Sequence, residues 1–142
     1  MKNYHSFVQS VYQIAQDAAR NGIAHLSTQD SRFTNNLIKV NNNLKLHLIG
    51  KLQTNKVAEA VNHFSFIHSL DSEKLALKIS KEEINFNKRL NYFIQINIGQ
   101  EKQKSGIPIQ DAFKFINFCK NELKINVIGL MCLPPATEDP SK

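Results

Sequence analysis

Tryptophan is absent from these 142 residues, and glycine (5), proline (4), cysteine (2) and methionine (2) are all scarce. Each scarcity excludes something. Two cysteines, Cys119 and Cys132, cannot make a disulfide framework, and neither has a Cys or His at ligand spacing, so both read as buried free thiols. So few glycines leave no GxGxxG fingerprint for a dinucleotide and no GxxxxGK phosphate loop, and no GxSxG nucleophile elbow. HExxH and an acidic cluster are missing too, so no metal site is expected. No run of eighteen apolar residues exists to span a membrane. MKNYHSFVQS lacks the apolar core of a secretory signal, which points to the cytoplasm.

What is present is an ordinary globular composition, 42% hydrophobic and 21% charged, in a length that fits one domain over 1–142. Eighteen Lys and Arg against twelve Asp and Glu give +6. That charge suits an anionic small molecule, nucleic acid or plain solubility. The cations are scattered without aromatic interleaving, so nucleic acid is not the favoured partner.

The most informative stretch is Leu44–Lys56, LKLHLIGKLQTNK. An apolar-rich run stops at Gly50 and gives way to Lys51, Gln53, Asn55 and Lys56, as a buried strand does when it ends in a mouth that binds something polar. A helix is predicted over 4–20, a very short strand at Ile23–Leu26 and a weaker helix over Ser31–Val40. Thr54–Asn62 reads as a short helix and Phe64–Leu70 as a strand. Asp71 or Ser72 caps the next helix, with its end and a loop expected over Glu82–Arg89. Leu90–Ile98 is the clearest strand, with Phe93, Gln95 and Asn97 on one side and Ile94, Ile96 and Ile98 on the other. After the loop GQEKQKSGI, Pro108 is placed at the start of a helix whose apolar side is Ala112, Phe115, Ile116 and Cys119. Asn126–Met131 is a further strand, and 136–142 reads as loop or disordered tail.

Alternating strands and helices at this spacing predict an α/β fold with four or five parallel strands, either a small open sheet or part of a barrel. In either, the strand ends share one face, so Lys51, Gln53, Asn55, Lys56, His68, Ser69, Asn97, the 99–106 loop and Met131 form one candidate site. Bland readings stand beside it. Asn55 and Lys56 could merely cap a helix, and His47 and His68 read as structural histidines. Gln95 and Asn97, two amides on an otherwise apolar strand, need hydrogen-bond partners if buried.

HLIGKLQTNK (47–56), FSFIHSLDSEKLA (64–76), FIQINIGQEKQKSGI (93–107) and GLMCLPP (129–135) together resemble the pyridoxal-phosphate homeostasis proteins, which share the alanine racemase N-terminal barrel. The resemblance covers roughly 44–135. It implies a partial (β/α)8 TIM barrel that holds pyridoxal 5'-phosphate (PLP) and keeps the free aldehyde scarce, with little or no enzyme turnover and no catalytic residue. It implies Gln29, Lys56, Asn97 and Met131 as cofactor-binding residues, Gln29 standing where the family has an asparagine under the cofactor. The chain departs from the pattern at both ends. No VSKTKP segment supplies the family's Schiff-base lysine, whose position falls near Val8; FGEN is replaced by Leu26-Ser27-Thr28-Gln29; and the phosphate-holding SxGMSxD and RxG segments would follow Lys142. The expectation is a truncated or divergent member whose cofactor binding is impaired or absent. The alternatives are half of a split barrel, completed by a second chain or by self-association, and an anion- or nucleic-acid-binding α/β module.

Overall fold

The computed structural model describes residues 13, 20–21, 23–26, 31–40, 43–99 and 104–134. Most of the predicted helix over 4–20, the position Gln29 and the predicted tail at 136–142 lie outside them.

Strands β1 (Ile23–Leu26), β2 (Lys45–Leu48), β3 (Phe66–Leu70), β4 (Asn91–Asn97), β5 (Ile107–Pro108) and β6 (Val127–Cys132) form one sheet. Every pairing among them is parallel. β1, β2, β3 and β4 lie side by side in chain order, and β6 pairs with β4. Helices α1 (Ser31–Val40), α2 (Val57–His63), α3 (Glu73–Phe86) and α4 (Ala112–Asn117) fall between successive strands. Such crossovers are what parallel neighbours require, since a tight turn can join only antiparallel strands.

Alternation along the strands divides the sheet into two faces. Leu46, Leu48, Ile67, Tyr92, Ile94 and Ile96 pack with Val57, Val61, Leu75, Ala76, Ile79, Phe115 and Cys119 of the helical layer in one buried cluster. Burying a Leu or Ile in this way contributes about 1.5–3 kcal/mol per side chain. His47, Phe66, His68, Phe93 and Asn97 belong to the opposite face and are half-buried. Ile98 departs from the predicted apolar side: it lies past the end of β4 and is 42% exposed.

Helix α3 begins at the predicted cap, with Ser72 Oγ accepting from Leu75 N at 3.3 Å. Its end falls inside the predicted stretch Glu82–Arg89. It runs to Phe86 and stops at Asn87, whose φ of 50° is the left-handed turn that an amide side chain tolerates. Glu82 and Glu83, near the end of this helix, are both buried. Lys78 Nζ reaches Glu82 Oε1 at 2.7 Å one turn away. Glu83 Oε1 accepts from Leu90 N (2.8 Å) and from the Tyr92 hydroxyl (3.0 Å), tying the helix C-terminus to the first residues of β4. Burial beside Glu83 raises the Tyr92 hydroxyl well above the ordinary tyrosine range, so it stays a donor.

Two further expectations are corrected. Pro108 does not begin a helix. It closes the two-residue strand β5, which pairs Ile107 with Ile96 and Pro108 with Asn97, and a short 3-10 turn over Ile109–Asp111 precedes α4. Proline lacks the N–H for a full ladder but sits readily at such an edge. The thiols also differ from one another. Cys119 is buried in the core, and burial pushes its thiol up to about 12, whereas Cys132 is exposed at the end of β6. One thiol per chain should therefore react with an aromatic disulfide reagent at pH 8 in the native protein, and two in denaturant. Two fast thiols in the native protein would contradict this packing.

Candidate functional site

Parallel strands deliver their C-terminal ends to one side, where the following loops are free of helix packing. At that side a cavity of about 320 Å³ opens. Ile49, Gly50 and Lys51 line it from the end of β2, Gln95, Ile96 and Asn97 from β4, Lys104 and Ser105 from the loop before β5, and Met131 and Leu133 from β6.

The loop is held against the strand by the two amides. Gln95 Nε2 donates to the Ser105 carbonyl at 3.2 Å, and Asn97 Nδ2 donates to the Lys104 carbonyl at 3.3 Å. Gly106 makes the close approach possible. Its φ is +129°, and a Cβ there would stand 2.8 Å from Asn97 N and 3.0 Å from Ile96 C, backbone atoms that cannot move aside.

Below the mouth, the same face of the sheet carries a column of rings across β2, β3 and β4. His47 stacks on Phe66 at 4.1 Å between centroids and 8° between planes; His68 stacks on Phe93 at 4.3 Å and 13°. The two stacks are joined by His47 Nδ1 and His68 Nε2, 2.9 Å apart, a distance that requires one nitrogen to carry the proton and the other to accept it. Gly129 of β6 closes the column, since a Cβ there would meet the Phe93 ring at 2.9 Å. Neither histidine belongs to the lining of the cavity; both pack in this column on the same face of the sheet.

Electrostatics at the mouth come from Lys51 and Lys104, with Asp71 at the end of β3. Burial raises the Asp71 carboxyl above its ordinary range, and the charge of nearby Lys51 partly offsets this. Among the described residues no group of three His, Cys, Asp or Glu could hold a metal.

Of the residues singled out in the sequence, Asn97 and Met131 come together in this cavity with Lys51. Lys56 stands apart from its lining. It belongs to a 3-10 turn (Thr54–Lys56), and its ammonium lies 3.7 Å from Glu59 Oε1. Asn55 belongs to a separate groove on the helical side, with Lys74, Leu77, Lys78 and Lys81. The sequence did not single out Gly106, although glycine between a lysine-rich loop and a β-branched residue was a usable signal.

With that geometry described, comparison with known proteins decides the family. Residues 7–142 match the family described as alanine racemase, N-terminal domain. The chain belongs to that family. It is 35% identical over 96 residues to the pyridoxal phosphate homeostasis protein of Pasteurella multocida (strain Pm70), a match covering 68% of this chain and 41% of the relative. To the protein of the same name from Aquifex aeolicus (strain VF5) it is 35% identical over 97 residues, covering 68% and 42%. The chain thus spans about two-fifths of the length of the curated relatives it matches. PipY of Synechococcus elongatus PCC7942 without PLP superposes with a TM-score of 0.69 at 24% identity, over 78% of this chain and 53% of that one. The same protein with PLP bound gives 0.65 at 24%, over 75% and 50%. These structures establish the expected fold, parallel strands and helices of the alanine racemase N-terminal, TIM-barrel-like kind. No helix among the described residues is long and apolar enough to cross a membrane.

Two substitutions test the site's construction. Gly106→Ala should destabilise the chain by about 1–3 kcal/mol, from the forbidden φ and the overpacking against β4, read as a lower urea midpoint. An unchanged midpoint would show that the loop is not pinned. Asp71 has a folded-state pKa above its unfolded value, so its contribution to stability is complete below the unfolded pKa and is lost as pH rises through the folded one. Asp71→Asn should therefore raise the urea midpoint at pH 7 and give no gain near pH 3.

Proposed function

We propose that this chain holds pyridoxal 5'-phosphate at the mouth of its parallel sheet in a homeostasis-type role, without turning over a substrate. Pyridoxal phosphate is a flat apolar ring carrying an aldehyde and a dianionic phosphate; when bound it supplies a carbonyl carbon that reacts with amines. Support comes from the similarity to proteins named for pyridoxal phosphate homeostasis, and above all from the donor set of the cavity. Lys51 and Lys104 offer positive charge to an anion, Ser105 offers a hydroxyl and Asn97 an amide, and Met131 and Leu133 offer an apolar wall for a ring. The volume of about 320 Å³ is at the small end of the range for small-molecule sites, adequate for one such molecule.

In this reading Asn97 and Met131 act as cofactor contacts, Gln29 keeps the role implied by its place in the family pattern, and Lys56 supports the loop that presents Lys51. The whole of 1–142 acts as one domain, an arc of the barrel. Its location is the cytoplasm, where free aldehyde must be kept low. Weak, reversible retention is expected, because two lysine side chains hold a phosphate less firmly than a dedicated ring of backbone N–H groups.

The test is equilibrium dialysis of the purified chain against pyridoxal phosphate and against pyridoxal. Retention of the phosphorylated compound should exceed that of pyridoxal by about tenfold or more, equivalent to about 1.4 kcal/mol from the phosphate. Inorganic phosphate should compete. Equal retention of the two, or none of either, would overturn the reading.

A further inference from the structure

A helix that packs on a sheet needs one apolar side, and α3 has it in Leu75, Ala76 and Ile79, all buried in the core. The opposite side carries a second pattern. Lys74 and Lys81 stand seven residues apart, as do Leu77 and Ile84, and all four are exposed. Leu77 is 52% exposed and Ile84 77%. At 3.6 residues per turn these four positions fall within about 80° of one another, in one stripe along the helix. We propose that this stripe docks a helix of a partner protein that sets glutamates or aspartates beside an apolar seam. The surface lies on the helical side of the sheet, away from the mouth cavity, and is independent of what that cavity holds.

Three observations support a helical, acidic partner. The first is the repeat. An α-helix returns to the same side every seventh residue to within about 20°, so a stripe with that period meets a second helix crossing it at a shallow angle. An extended strand repeats every two residues and gains nothing from the spacing. The second is shape. Lys74, Leu77 and Lys81 line a groove of about 650 Å³ together with Thr54 and Asn55 of the 3-10 turn that precedes α2. The third is charge. Lys74, Lys78 and Lys81 stand against one carboxylate, Glu73, among the described residues of the lining. Lys78 Nζ lies 2.7 Å from Glu82 Oε1, so Lys74 and Lys81 are the cations on which a partner's carboxylates act. Lysines flanking an apolar seam select a partner helix by the sign of its charge.

Other anionic partners fit less well. Nucleic acid would use the cations but set its phosphates against Leu77 and Ile84, with no aromatic side chain in the groove for a base to stack on. An anionic bilayer is flat and does not enter a groove, and two aliphatic side chains are a small anchor for it.

The experiment titrates the purified chain into a fluorescent three-heptad helical peptide with Leu at every seventh position, Glu three and four residues from each Leu, and Ala and Gln elsewhere. A peptide of the same composition in scrambled order is the control. Anisotropy should show saturable one-to-one binding, about fivefold or more tighter than for the scrambled peptide, and weaker by a similar factor when salt is raised from about 0.05 to 0.3 M. Lys74→Glu with Lys81→Glu should lower the affinity about tenfold or more. Leu77→Ala with Ile84→Ala should lower it about fivefold while the salt dependence persists, which a purely ionic contact would not show. Equal affinity for the scrambled peptide, or no loss in either variant, would overturn the proposal. So would tighter binding to phosphatidylcholine–phosphatidylserine vesicles or to a single-stranded oligonucleotide than to the peptide. All four side chains are exposed, so both variants should keep the native circular dichroism spectrum, and its loss would assign the stripe to the fold instead.

Discussion

The backbone of β4 is the constraint on which the rest depends, because it hydrogen-bonds to three strands. It pairs with β3 through Asn91, Tyr92 and Ile94, with β6 from Tyr92 to Ile96, and with the two residues of β5 at Ile96 and Asn97. Seven residues thus fix the relative height of four chain segments. All these pairings are parallel, so the C-terminal ends lie on one side, which brings Lys51, Asn97 and Met131 to one cavity. The mouth cavity is the consequence of that shared height.

The two faces of β4 carry the second consequence. Tyr92, Ile94 and Ile96 commit one face to the helices, where the buried carboxylates of Glu82 and Glu83 have partners. On the other face the half-buried rings of His47, Phe66, His68 and Phe93 do what aliphatic residues could not: they stack in pairs that a hydrogen bond between two imidazoles joins. Offset and stacked ring pairs add about 0.5–1.5 kcal/mol each beyond the area they bury. The column depends in turn on Gly129, whose missing side chain leaves the place occupied by the Phe93 ring.

The mouth itself is a compromise between rigidity and openness. Gln95 and Asn97 spend side-chain amides on the carbonyls of Ser105 and Lys104, so the loop before β5 is stitched to the strand it follows.

Much of this was legible in the chain alone. The alternation in Leu90–Ile98, the amphipathic spacing of Val57, Val61, Leu75 and Ile79, and the Ser72 cap are local patterns, set by the periods of strand and helix, and a linear sequence displays them directly. The need of Gln95 and Asn97 for partners was legible as well, because a buried amide is costly wherever it lies. What sequence could not supply was which partners they find, that Glu82 and Glu83 are buried, that Ile107-Pro108 form a strand, or that Cys132 is exposed where Cys119 is buried. Each of these depends on the distance between segments far apart in the chain, and such distances exist only once the parallel strands have aligned.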